Sequence, residues 1–122
     1  MIALASGETV RYIGIDTPET VKPNAPIECF GKEASEKNRA LVSGKKIRMQ
    51  KDISDTDRYG RLLRYVYLED GTLVNEVLVR EGYAFASSFP PDIAMQEVFR
   101  EAERSAKQNK RGLWADGACA RK

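Results

Sequence analysis

Leu62-Leu63-Arg64-Tyr65-Val66-Tyr67-Leu68 decides the fold. Seven residues rich in aromatic and aliphatic side chains lie between Gly60 and the Asp70-Gly71 turn signal, which reads as a strand. Downstream, Val74 to Glu81 places Val74, Val77 and Leu78 on one side of a short helix stopped by Gly82. Phe89-Pro90-Pro91 is expected to make an extended entry to a last helix with Asp92 as its N-cap. The stripe of Met95, Val98, Phe99, Ala102 and Ala106 would face the body of the protein, and Trp114 would anchor the tail. Upstream, Asp52 to Gly60 is polar and turn-like, and Lys45 to Lys51 alternates with Ile47 and Met49 on one face. Phe30 to Val42 carries helix formers and ends at Gly44, after a Pro- and Asn-marked loop from Val21 to Ile27. The chain opens as a hairpin: Ile2 to Ala5, a Ser6-Gly7-Glu8 turn, then Thr9 to Ile15, ended by Thr17-Pro18-Glu19. Short strands, a helix inserted after the hairpin and two more after the last strand suggest a small barrel with packed helices, an α+β domain spanning residues 1–122.

Composition bounds what this domain can do. With 42% hydrophobic and 31% charged residues it belongs to the soluble globular class. No apolar run approaches the ~20 residues of a bilayer span, so no membrane partner is expected. The sequence lacks histidine, which excludes His-ligated zinc, Ser-His-Asp triads and a histidine base. Hydrolytic chemistry would have to use carboxylates, arginines, tyrosines or an oxygen-ligated metal. Net charge is only +2, although Arg104 to Lys122 holds six basic residues against Asp116 alone. That tail reads as a solvated helix end or a weak phosphate attractor. Cys29 and Cys119 are too few for a zinc cluster. They read either as separate thiols or as a disulfide between the start of the first helix and the tail, the latter requiring an oxidising compartment.

Two blocks carry chemistry. In Arg11-Tyr12-Ile13-Gly14-Ile15-Asp16-Thr17-Pro18-Glu19-Thr20, a regular strand would put Arg11, Ile13 and Ile15 on one face, with Asp16 starting the following turn. Two carboxylates three residues apart, with a backbone carbonyl between them, suit a hard cation, and a nearby guanidinium suits the phosphate it attracts. Asp55-Thr56-Asp57-Arg58-Tyr59-Gly60-Arg61 fails as a calcium-binding EF-hand loop, because Tyr59 and Val66 stand where oxygen ligands are needed. What remains is a turn presenting two arginines and a phenol. Read singly, each block is better explained as a polar turn with solvated charges.

Together, in this order and spacing, the blocks resemble the thermonuclease (staphylococcal-nuclease-like) family. So do Gly31-Lys32-Glu33-Ala34-Ser35, Val74-Asn75-Glu76, Leu78-Val79-Arg80-Glu81-Gly82 and Gly112-Leu113-Trp114. The resemblance implies an OB-fold: a five-stranded barrel with three helices, active as a calcium-dependent endonuclease on DNA and RNA. By position it implies that Asp16 and the Thr17 carbonyl bind Ca²⁺ and that Glu19 orients or deprotonates the attacking water. It further implies that Arg11 and Arg61 hold the scissile phosphate, that Arg58 and Tyr59 grip a neighbouring phosphate, and that Asn75 and Glu76 are structural. Two departures stand out. The family's Asp-Gly-Asp-Thr-like strand would have its Thr at about Met1, which leads us to expect a truncated first strand, weak calcium binding and self-association through the exposed edge. Phe85-Ala86-Ser87-Ser88-Phe89 stands where the family often has tyrosines, with Phe89 serving either base stacking or the core. A secreted or cell-envelope location is expected, with cytoplasmic as the alternative. The competing functions are a catalytically inactive module that binds nucleic acid or protein, and a purely structural barrel.

Overall fold

The computed structural model describes residues 2–3, 7–17 and 30–115. The seven-residue strand, Leu62–Leu68, is present with the expected bounds and is labelled β5 here. It is used on both edges. It pairs in parallel with β2 (Thr9–Tyr12), Val10 opposite Leu62 and Tyr12 opposite Arg64. It pairs antiparallel with β4 (Ile47–Gln50), Ile47 opposite Leu68. β1 (Ile2–Ala3) extends the sheet beyond β2, giving the order β1-β2-β5-β4. A separate pairing joins β3 (Ile15–Asp16) to β6 (Phe85–Ala86), a short strand not anticipated from the sequence. Three helices accompany these two ladders: α1 (Gly31–Val42), α2 (Val74–Arg80) and α3 (Gln96–Gln108). Among the described residues, no helix is long and apolar enough to cross a membrane.

The core gathers where β2, β5, α2 and α3 meet, around Val10, Tyr12, Ile15, Val66, Val74, Leu78, Phe99 and Ala102. Phe99, Ala102 and Ala106 of the predicted α3 stripe are buried, with Met95 and Val98 partly so. Two phenols are buried here. Tyr12 donates its hydroxyl to Asn38 Oδ1 of α1 at 2.5 Å, and burial raises its pKa well above the ordinary value. Tyr65 is pushed the same way, first by burial and then by its bond to Asp52.

The structure corrects several local expectations. The segment Thr9–Ile15 is not one regular strand, and Arg11 does not share a face with Ile13 and Ile15. Val10 and Tyr12 turn inward with Arg11 outward between them, and a turn at Ile13–Gly14 then resets the chain before β3. Gly14 is required there: its φ is 81°, and a side-chain carbon would collide with the Phe99 ring. Phe89-Pro90-Pro91 is a tight turn rather than an extended entry, closed by the Asp92 amide donating to the Phe89 carbonyl at 2.8 Å. Asp92 is also not the N-cap of the last helix. Met95 occupies that position without a side-chain bond, because the Asp92 carboxylate is engaged by another loop. On β4, Ile47 is partly buried and Met49, two residues on, is exposed.

Asn75, the second residue of α2, holds the assembly at its centre. It is fully buried. Its Oδ1 accepts the Val66 amide of β5 at 3.0 Å, and its Nδ2 donates to the Ile13 carbonyl at 3.0 Å and the Arg64 carbonyl at 3.4 Å. One side-chain amide thus satisfies backbone groups on β5 and at the β2–β3 turn, which are inaccessible to water. Replacing it strands a buried donor and acceptors, each costing ~1–3 kcal/mol. Asn75→Ala is therefore expected to lower unfolding free energy by about 2–4 kcal/mol in urea titration. A loss below about 1 kcal/mol would contradict this role.

Candidate active site

Both motif blocks open onto one cleft of about 420 Å³. Arg11 on β2 and Arg58, Tyr59 and Arg61 on the β4–β5 loop line it, with Asp57, Phe89, Pro90, Pro91 and Asp92 completing the walls. The parallel β2–β5 pairing explains the meeting. Arg11 lies opposite Leu63, so Arg61 enters β5 beside the outward side chain of β2.

Each arginine is braced. Arg11 Nη1 donates to the carbonyls of Tyr12 at 2.9 Å and Ile15 at 3.0 Å, both at the turn that Asn75 secures. Its guanidinium lies 5.2 Å from the centre of the Phe89 ring, a cation–π distance. Arg61 is held by Asp57. One carboxylate oxygen accepts the Arg61 Nε at 2.6 Å, and the other accepts the backbone amides of Arg61 and Tyr59, each at 2.9 Å. At the rim, Arg58 Nη2 donates to the Tyr59 hydroxyl at 2.7 Å, and the Arg58 and Arg61 guanidiniums lie 4.9 and 5.5 Å from the Tyr59 ring. Tyr59 is 68% exposed, so this ring offers its remaining surface to a ligand. Three guanidiniums against two already engaged carboxylates make the cleft a receptor for an anion with phosphate geometry.

Asp16 does not line this cleft. It faces solvent on β3, its Oδ1 3.8 Å from Arg11 Nη2, so Arg11 connects it to the cleft. Asp16 and the following Thr17, which is half-buried, offer a carboxylate and a backbone carbonyl. Those are hard oxygen donors of the kind calcium takes, and the 60% exposure of the Asp16 side chain leaves it accessible to a cation. Among the described residues no group of three acidic, His or Cys side chains converges on a metal position. Glu19, Cys29 and Cys119 lie outside the described residues.

Sequence reading missed the brace. Asp57 drew notice only as a fragment of a failed calcium loop, whereas its spacing of four from Arg61 was the available signal. Burial tends to raise the Asp57 pKa, but hydrogen bonds from the Arg61 amide and guanidinium and the Tyr59 amide outweigh it, holding the carboxyl below its ordinary value. A depressed folded pKa contributes stability above the unfolded value, about 3.9, and loses it as pH falls through the folded one. Asp57→Asn should therefore cost ~1–2 kcal/mol near pH 6, and the gap from the native protein should close in acid. Denaturant titrations of both proteins from pH 7 to 2.5 read this directly, and a gap that widened in acid would contradict it.

Comparison with known proteins finds relatives over most of the chain. The Staphylococcal nuclease homologue family matches residues 9–116. The chain is 40% identical over 109 residues to the thermonuclease of Staphylococcus hyicus, covering 89% of this chain and 64% of that protein. It is 43% identical over 110 residues to endonuclease YncB of Bacillus subtilis, covering 88% of this chain and 52% of the relative. The SPbeta prophage-derived endonuclease YokF of the same organism is also 43% identical, with 88% and 37% covered. The chain thus spans between 37% and 64% of the length of these three relatives. Both motif blocks and the Asn75 brace fall inside the matched region, and the chain belongs to the Staphylococcal nuclease homologue family.

Proposed function

We propose that this chain is the catalytic domain of a calcium-dependent endonuclease that hydrolyses phosphodiester bonds in DNA and RNA. The observation that carries the reading is the convergence of Arg11 and Arg61, from blocks fifty residues apart, on one cleft. Family membership and relatives named thermonuclease and endonuclease support it. The OB-fold with three helices belongs to the same family inheritance. Closure of the described strands, β1 to β6, into the family's five-stranded barrel is part of the proposal.

In this reading a phosphodiester enters the cleft as an anion. Arg11 and Arg61 bind its non-bridging oxygens and stabilise the charge that grows there as water attacks phosphorus. Fixed guanidinium forks suit that oxygen geometry, and both are oriented before the substrate arrives. Arg61 also lies toward the leaving oxygen, offsetting its charge as the P–O bond breaks. Arg58 and Tyr59 at the rim hold the next phosphate along the strand. Glu19 orients the attacking water and accepts its proton. Asp16 and the Thr17 carbonyl would hold calcium, which when bound adds Lewis-acid neutralisation of the phosphoryl charge.

Arg61→Ala and Glu19→Gln are each expected to lower kcat by at least ~10²-fold, the scale for a group acting chiefly in the transition state. Arg61→Ala also removes a partner of Asp57 and should cost ~1 kcal/mol of stability, so turnover is compared well below the unfolding transition of both variants. Plasmid-nicking and oligonucleotide-cleavage assays on the full-length protein, with calcium and with a calcium chelator, provide the test. Near-native turnover in either variant would remove that residue from the mechanism, and turnover indifferent to the chelator would remove calcium.

A further inference from the structure

The two walls of the cleft are fastened to each other by a reciprocal pair of carboxylates. Asp92, 6% exposed, lies on the β6–α3 connector, and its Oδ1 accepts the amides of Ile53 at 2.9 Å and Ser54 at 2.7 Å on the β4–β5 loop. Asp52 lies on that loop, and its Oδ2 accepts the Ala94 amide of the connector at 2.9 Å and the Tyr65 hydroxyl at 2.5 Å. Each segment thus supplies a carboxylate to the other's backbone.

What the two segments carry gives the pairing its meaning. The connector bears Phe89, bonded through its carbonyl to the Asp92 amide, and the Phe89 ring faces the Arg11 guanidinium. The loop continues from Ser54 through Asp55, which accepts the Leu63 amide at 3.0 Å and the Arg64 guanidinium at 2.7 Å, to the Asp57–Arg61 brace. One segment supports Arg11 and the other Arg61. We infer that Asp92 and Asp52 are positioning residues that set the separation of the two phosphate-binding arginines by clasping the β4–β5 loop to the β6–α3 connector. The inference rests on the nuclease reading for its catalytic consequence, but not for its geometry.

Asp92 takes both amides through one oxygen, and Asn offers a carbonyl oxygen at that place, so the clasp needs an acceptor there rather than a charge. Asp92→Asn should retain it and Asp92→Ala should lose it. In ¹⁵N-labelled full-length protein, the Nε–Hε resonances of Arg11 and Arg61 should shift and broaden in Asp92→Ala and return in Asp92→Asn. Backbone amides of α1 and α2 should stay in place. The kcat/KM on DNA should fall ~10–100-fold in Asp92→Ala, the scale for misplaced catalytic groups, and recover to within about threefold in Asp92→Asn. Should Asp92→Ala not fold, Asp52→Ala, which removes the other half of the clasp, must give the same arginine signature. Native-like arginine resonances in the folded alanine variant would overturn the inference, as would failure of Asn to restore them. A native protein that cleaves no DNA would sink the nuclease reading, while the resonances still decide the clasp.

Discussion

The Asn75 side chain is the constraint on which the rest of the structure depends. Parallel pairing of β2 with β5 aligns the two strands, but the chain must then leave β2 through a turn whose carbonyls face the interior. Asn75 meets the Ile13 carbonyl at that turn and the Val66 amide on β5, and the Ile13 amide itself donates to the Arg64 carbonyl at 3.1 Å. A buried amide without partners would be costly; with its partners in place it selects one register. That register puts the carbonyls of Tyr12 and Ile15 where Arg11 can donate to them. A core interaction therefore determines the direction of a cleft guanidinium without touching the cleft.

Preorganisation is the theme of the site. Neither principal arginine dangles from a flexible stem: backbone carbonyls and an aromatic face hold one, a carboxylate and its loop the other. In the proposed nuclease reading, side-chain freedom lost in folding need not be lost again on meeting the substrate, so more of the interaction energy remains for the transition state. The same acceptors limit how strongly the guanidiniums repel each other across the cleft. Asp57 in particular neutralises Arg61 on the side turned toward its own loop, while the cleft as a whole stays cationic enough to draw in an anion.

Much of this was legible in the residues. Leu62–Leu68 announced itself through composition and bounding turns, and both α1 and α2 ended where Gly44 and Gly82 said they should. Arg11 and Arg61 were paired only through the family resemblance of the two blocks, each of which alone reads as a polar turn. What escaped was tertiary. The break at Ile13–Gly14 depends on Phe99, eighty-five residues away, occupying the space a side chain would need. Asp92 looked like a helix cap because local spacing favours that reading, but the Ile53 and Ser54 amides compete for the same carboxylate and win it. The Asp57 brace was the local exception: the residue was read only as part of a failed calcium loop, although its partner Arg61 stands just four residues on. For Gly14 and Asp92 a short-range rule met a long-range partner that the sequence does not place.

Shared grip on one phosphate by Arg11 and Arg61 is the central claim, and a double-mutant cycle tests it most directly. kcat/KM on a single defined oligonucleotide would be measured for the native protein, Arg11→Ala, Arg61→Ala and the double variant. Two groups acting on the same oxygens couple by ~0.5–3 kcal/mol, so the double variant should fall short of the product of the single losses by at least about twofold. Losses that multiply within error would mean that the two arginines act independently, and would contradict a common phosphate between them.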